Sequence, residues 1–371
     1  MGLLSGPLTF SRFMVVGRPP SGFSEFINQQ IKRHAFHGLA ANTQEKIMGW
    51  AGIENPLDTD FRHASYAWGD YLLFSLRIDR RSVPPSLLRI RSLEAEQQHL
   101  KETGRKKIDK ATREQIRDSI RQELLGRTLP TPSFYEICWS VSEGALLLTS
   151  LSEKVMQDFQ DLFKSSFELT PLPYVPWDPQ VMDKETAGKI EALQMLDAGA
   201  ADPKTLGREF LTWLWFKSEE RNGMILIPGV GETEINLVRR LVLESGDGDY
   251  SESVVCQGMH ADLKEGRDAL RRGKKIKEAR LKLSRDAAVW EFTLKADRFQ
   301  FQSMKMPVVM DMKEEQENRD GRVLERIYLL ETVVRSMDRL FAMFVSLRLP
   351  ENWQHERMRM EKWLQSSSGQ G

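Results

Sequence analysis

Lysine and arginine are the side chains in this sequence most able to do chemistry, and they are gathered rather than spread. From Lys264 to Arg285 there are 10 basic residues against 3 acidic ones. That run holds Arg271, Arg272, Lys274, Lys275, Lys277, Arg280 and Lys282, and Arg298 follows beyond it. From Arg77 to Arg127 there are 14 basic residues against 8 acidic ones, with Arg105, Lys106 and Lys107 adjacent. Such runs can hold phosphates. Duplex DNA carries one negative charge per about 1.7 Å of axis, and a protein that neutralises several phosphates releases their counterions. The pattern implies binding without sequence preference, because no zinc-finger or basic-zipper pattern occurs and no helix is built to read base edges. Aromatic residues do not interleave with the basic runs, which speaks against a stacking platform for single strands. A plain alternative stays open. Charge runs are often solvated faces, and the cations around Arg267, Arg271 and Arg272 close a short helix whose dipole favours them without any ligand.

Catalysis needs a constellation, and the sequence offers none. Of the six histidines, His34 and His37 are close, at helical spacing near a helix end, where exposed histidines are commoner than metal ligands. Gly229-Val230-Gly231 lacks the third glycine and the Lys-Ser/Thr pair of a phosphate cradle and reads as a turn. Asp58 and Asp60 lie in a loop with no lysine spaced to complete a nuclease site. Glu291 and Lys295 point the same way from one strand but have no second acid beside them to hold a metal. No catalytic residue, metal or cofactor is expected.

The elements that must position the basic runs follow from periodicity. Pro84 to Leu129 reads as two polar helices, the first from Pro85 to the Thr103-Gly104 stop and the second from about Ile108 to Gly126. Ile116, Ile120 and Leu124 give the second helix only a narrow apolar stripe, enough for one partner helix. The pair is expected to project as an arm whose end turns apolar at Leu124, Leu125 and Leu129 around Arg127. Ala279, Leu281 and Leu283 alternate with charged residues, as do Trp290, Phe292 and Leu294 beyond the turn at Asp286. This is a two-faced hairpin with Arg280 and Lys282 on its wet face. Strands at Thr9–Val16, Lys46–Trp50, Ser65–Trp68, Tyr71–Ile78, Phe134–Val141 and Ala145–Thr149 alternate with helices at Gly22–Phe36 and Ser152–Phe163, an α+β arrangement interrupted by the arm. Phe210–Phe216 reads as an apolar helix, Met224–Ile227 and Ile235–Leu243 as strands, and Val323–Leu347 as a long packing helix. The expected division is 1–83 with 130–180, the arm at 84–129, a second α+β part at 181–349, and an extension with a disordered tail at 350–371.

With 371 residues and a formal net charge of zero, no global field draws the chain to a polyanion. The compensating acid sits in Glu244–Glu252 and Asp311–Asp320. The two cysteines, Cys138 and Cys256, make neither a disulfide framework nor a zinc site. No stretch approaches a membrane span and the N-terminus lacks a signal-peptide pattern, so an intracellular, soluble protein is expected.

In order along the chain, FMVV, KIMGW, YLLFSLRI, the long SLEAEQQHLKETGRKKIDKATREQIRDSIRQELLGR, ICWSVSEG, PLPYVPW and RRGKKIKEARLKL resemble the RdgC family, bacterial recombination-associated DNA-binding proteins. The resemblance runs from about residue 8 to 348. It implies a curved, multi-domain subunit with antiparallel-rich sheets and a projecting helical pair. It further implies a homodimeric ring whose basic hole encircles double-stranded DNA, limits RecA access, and serves recombination and replication-fork repair in the cytoplasm at the nucleoid. The stretch from Lys274 to Lys282 lies where the family presents charge to the hole. Leu124, Leu125, Arg127 and Leu129 lie where it makes the dimer contact at the tip. Leucine stands at 129 where the family pattern has phenylalanine, and glycine at 126 where it has proline, so less apolar area is available there. The family also carries an exonuclease label. A metal-dependent nuclease, or a protein-interaction module docking through the arm, are the competing readings. The segment after Pro350 extends past the family's usual end.

Overall fold

In the computed structural model the described residues are 2–18, 20–38, 44–178, 180, 184–196, 203–245, 252–258, 264–308 and 319–365. They carry β1 (Leu8–Val16), α1 (Phe23–Arg33), β2 (Lys46–Gly52), β3 (Ala67–Trp68), β4 (Tyr71–Arg80), α2 (Pro85–Thr103), α3 (Lys110–Arg127), β5 (Thr131–Ser140), β6 (Ala145–Leu148) and α4 (Glu153–Phe167). There follow β7 (Thr170–Pro173), α5 (Lys184–Leu196), α6 (Pro203–Glu220), β8 (Met224–Ile227), β9 (Gly231–Glu244), β10 (Ser253–Gln257), α7 (Lys264–Arg271), β11 (Lys275–Arg285), β12 (Ala288–Lys295), β13 (Gln300–Lys305), α8 (Arg319–Arg348) and α9 (Pro350–Gln365). The fold is α+β with antiparallel strand pairing, as the sequence pattern implies. Most of the acidic stretches expected to balance the basic runs, and the tail from Ser366, lie outside the described residues.

The chain divides into two compact units. One comprises Met1–Val16, Cys138–Asp158 and Thr170–Gly371, the other Gly17–Ile137 and Phe159–Leu169. The second unit, which bears the arm, is built on β3-β4-β2. Its core centres on Trp50, whose ring lies against Phe74, Phe159 and Phe167 and whose Nε1 donates to Ser166 Oγ at 2.9 Å. Gly49 explains how the chain after α1 reaches this strand. A Cβ at 49 would stand 2.5 Å from Phe36 Cα, so only glycine lets the two backbones meet.

The arm's helices begin and end for local reasons. Pro85 opens α2 at a position whose N–H has no helical partner, and Gly104 closes it at φ 64°. Asp109 caps α3, accepting from the Thr112 N–H at 2.9 Å and from the Thr112 hydroxyl at 2.8 Å. The two helices pack on each other over a short connection and are therefore antiparallel. The turn 104–109 is the free end of the arm, and the C-terminal end of α3 returns to the root beside Pro85. This corrects the expectation that Leu124, Leu125 and Leu129 form the arm's end. Leu125 is buried at 1% exposure and lines a groove with Glu45, Arg81 and Pro85, whereas Leu129 is 85% exposed. Of these residues it is Leu125 that closes the hairpin at its root, while Leu129 stays open to solvent.

The other unit carries the strand order β10-β9-β11-β12-β13-β1-β6, with β7 also on β1 and β8 on β9. On β11 and β12 the alternation resolves as expected: Ala279, Leu281, Leu283, Trp290, Phe292 and Leu294 are buried. Leu281 is opposite Phe292 and Lys282 opposite Glu291. Helix α6 covers β9 and β11. Gly207 lets α6 approach the short turn at Ala296, since a Cβ there would stand 2.3 Å from the Ala296 oxygen. Phe210 and Phe341, from α6 and α8, meet Phe299 in an aromatic core. The extension after Pro350 is the helix α9. It is held on α6 by the buried Lys217–Glu356 pair at 2.5 Å, by Trp213 Nε1 donating to Glu356 at 3.0 Å, and by Trp363 against Trp215 and Phe216.

Candidate nucleic-acid interface

Arg105, Lys106 and Lys107 all fall in the free turn of the arm. The turn is set by the stop at Gly104 and the cap at Asp109. All three side chains are exposed, and none has an ion-pair or hydrogen-bond partner among the described residues. Three like charges with nothing opposite them are free to meet an anion.

The basic run of the other unit is more divided. Arg271, at the end of α7, pairs with Asp268 and donates Nε to the Leu364 carbonyl at 2.7 Å, closing the last turn of α9. Lys274 Nζ lies 2.9 Å from Glu252 Oε2, Lys277 Nζ 2.9 Å from Glu244 Oε1, and Arg298 Nη2 2.5 Å from Glu153 Oε1. Arg280 donates Nε to Glu291 at 3.0 Å and Nη1 to the Ser303 carbonyl at 3.0 Å. Its side chain is only 13% exposed, so the alternation places it on the polar face but its neighbours cover it. Arg272 and Lys282 are exposed and Lys275 half-buried, and the side chains of these three have no partner among the described residues. Five of the eight cations expected here are therefore already matched by carboxylates, which is the arrangement of a solvated face. Three are not.

The carboxylates report the same matching. The Lys277 hydrogen bond, against burial and with the added charge of Arg208, holds Glu244 below the usual carboxylate range. Burial pulls Glu291 upward, but the hydrogen bond and charge of Arg280, with Lys305 and Arg239, outweigh it and leave Glu291 lowered. Sequence reasoning missed Arg239 and Lys305 as members of this cluster. Lys305 Nζ lies 3.5 Å from Glu291 Oε2 and Arg239 Nη1 3.9 Å from Oε1. Arg239 reaches it from an irregular position with φ 61°, where the β9–β11 register shifts. Lys305 comes from β13, a strand the sequence reading did not identify.

Among the described residues, no three His, Cys, Asp or Glu side chains gather in a way that could hold a metal ion. No described helix is long and apolar enough to cross a membrane. Cys138 and Cys256 are buried free thiols, and burial, with the charge of a nearby glutamate in each case, pushes both above the usual thiol range. They are poor nucleophiles.

The model of one protein family, described as "Putative exonuclease, RdgC", matches residues 19–186. The match spans the arm and both segments of the unit that bears it. It stops short of β11 and of the last two helices. No curated protein matches the sequence.

Proposed function

We propose that this chain, whose residues 19–186 match the RdgC family model, holds double-stranded DNA without sequence preference. It does so as a homodimer that closes around the duplex and limits RecA access during recombination and replication-fork repair. The observation that carries the reading is the set of cations without carboxylate partners: Arg105, Lys106 and Lys107 on the arm, and Arg272, Lys275 and Lys282 in the other unit. Side chains of this kind neutralise phosphates at no cost of breaking an ion pair, and they read charge rather than base edges. The matched cations Arg271, Lys274, Lys277, Arg280 and Arg298 contribute less, because each must exchange a carboxylate for a phosphate.

The self-contact is assigned to Leu129 with Arg127, Leu124 and Leu125. Leu129 offers a large apolar side chain there, at 85% exposure, whereas Leu125 is buried. Leu129→Asp is expected to dissociate the dimer in sedimentation while leaving the helical content intact. The binding itself is tested by mobility shifts on two duplexes of unrelated sequence and one single strand. Equal affinity for the duplexes and weaker retention of the single strand are expected. Absence of a shift, or a strong preference for one duplex sequence, would refute the reading. The family's label keeps a nuclease reading in play; end-labelled duplex incubated with magnesium or manganese should remain full length, and shortening from the ends would favour that alternative.

A further inference from the structure

The arm carries a groove of about 880 Å³ at its root and along the α2–α3 seam, which the phosphate-binding reading does not use. Its apolar floor includes Val83, Leu88, Leu93 and Leu125. Its walls carry Arg81, Arg89, Lys110, Arg113, Arg117 and Arg121 against Glu45, Glu96 and Glu114. Each carboxylate is matched: Arg113 lies 3.3 Å from Glu96, Arg121 2.6 Å from Glu45, and Lys110 4.0 Å from Glu114. Arg89 and Arg117 are exposed and have no partner among the described residues. Ser92 also lines the groove. Its side chain is buried at 8% exposure and its Oγ has no hydrogen-bond partner. A buried hydroxyl without a partner costs stability and calls for an acceptor from outside. Beside it Leu93, which also lines the groove, is 49% exposed.

We propose that the groove binds an acidic peptide segment of a partner protein, one that alternates carboxylates with large apolar side chains. Three features select that chemistry. The excess of cations asks for negative charge, which gives the on-rate and the choice of partner. The apolar floor at Val83, Leu88, Leu93 and Leu125 asks for apolar side chains, which a sugar–phosphate backbone does not supply. The Ser92 hydroxyl asks for an acceptor, which a peptide carbonyl or a carboxylate provides. A nucleic-acid backbone would satisfy the first of these and leave the second exposed.

The test uses the full chain and a fluorescein-labelled synthetic octapeptide, Glu-Glu-Asp-Leu-Asp-Glu-Leu-Phe, read by fluorescence anisotropy. Its companions are the same peptide with serine for leucine and phenylalanine, and a labelled duplex oligonucleotide. Arg117→Glu touches no partner and should leave the melting temperature unchanged. It is expected to weaken the apolar peptide by about tenfold or more, as loss of a charge at a binding rim does, and to leave duplex affinity within about twofold. Leu93→Ser should weaken the apolar peptide and leave the serine peptide as it was. Ser92→Ala should raise the melting temperature and weaken the peptide, a combination that a purely structural serine would not give. The proposal is overturned if the serine peptide binds as well as the apolar one, if neither peptide binds, or if Arg117→Glu weakens the duplex and spares the peptide. The last result would identify the groove as a phosphate site.

Discussion

Arg280 and Glu291, on neighbouring strands β11 and β12, are joined by a 3.0 Å hydrogen bond from Nε to Oε1, and Lys305 and Arg239 converge on the same carboxylate. One glutamate thus cancels part of the charge of a polar sheet face that Lys282, directly opposite it in register, also borders. Glu291→Gln removes that cancellation while keeping the shape. Duplex affinity at low salt is expected to rise about threefold to tenfold, since each added unit of positive charge strengthens counterion release. Titration of a labelled duplex measures it, and unchanged affinity would remove this sheet face from the interface.

Glu244 links stability to pH. It accepts from Lys277 and from Arg208, each at 2.9 Å, and its carboxyl is held below the ordinary value. A carboxyl lowered on folding contributes stability above its unfolded pKa, about 4.3, and loses it as pH falls through the lower folded value. Glu244→Gln should therefore lower the melting temperature at neutral pH and flatten its decline below about pH 4.5. An acid limb as steep as that of the unaltered chain would show that this carboxylate is not linked to folding.

The C-terminal helix is part of the fold. Lys217 and Glu356 are each 5% exposed, and Glu356 also accepts from Trp213 Nε1. Glu356→Ala leaves a buried ammonium with Glu220 alone and a buried indole N–H unpaired. A loss of about 3–5 kcal/mol is expected, the range for breaking one side of a buried ion pair. Urea unfolding reads it, and a change under about 1 kcal/mol would mean that α9 is only loosely held.

Gly49 is tested by adding one methyl group. Gly49→Ala places a Cβ against the Phe36 backbone, which cannot move aside as a flexible side-chain end could. Destabilisation of about 1–3 kcal/mol is expected from overpacking. A neutral result in the same urea assay would show that α1 and β2 can separate.

Much of the fold was legible because it rests on local periodicity. The alternation on β11 and β12 placed Leu281 opposite Phe292 on one face, and the proline and glycine signals bounded α2 as observed. The free turn of the arm is not legible from the sequence, because apolar residues at the end of a sequence segment need not lie at its end in space. An antiparallel hairpin returns that end to the root, where Leu125 is buried. The candidate site was legible as charge but not as pairing. Glu244, Glu252 and Glu153 neutralise Lys277, Lys274 and Arg298 across 22 to 145 positions of chain, which no local pattern reveals. The groove is hidden from the sequence for the same reason, since Arg117 and Ser92 come to line one groove only when α2 and α3 pack.

That unpartnered cations hold the duplex is tested most directly by the salt dependence of affinity. Log affinity against log salt should fall with a slope near −0.9 per phosphate neutralised. Replacing Arg105, Lys106, Lys107, Arg272, Lys275 and Lys282 by alanine together should flatten that slope by at least about 2, whereas replacing the ion-paired Lys277 and Arg298 should change it by less than about 1. A slope unchanged by the sixfold replacement, or flattened more by the paired cations than by the free ones, would contradict the proposed interface.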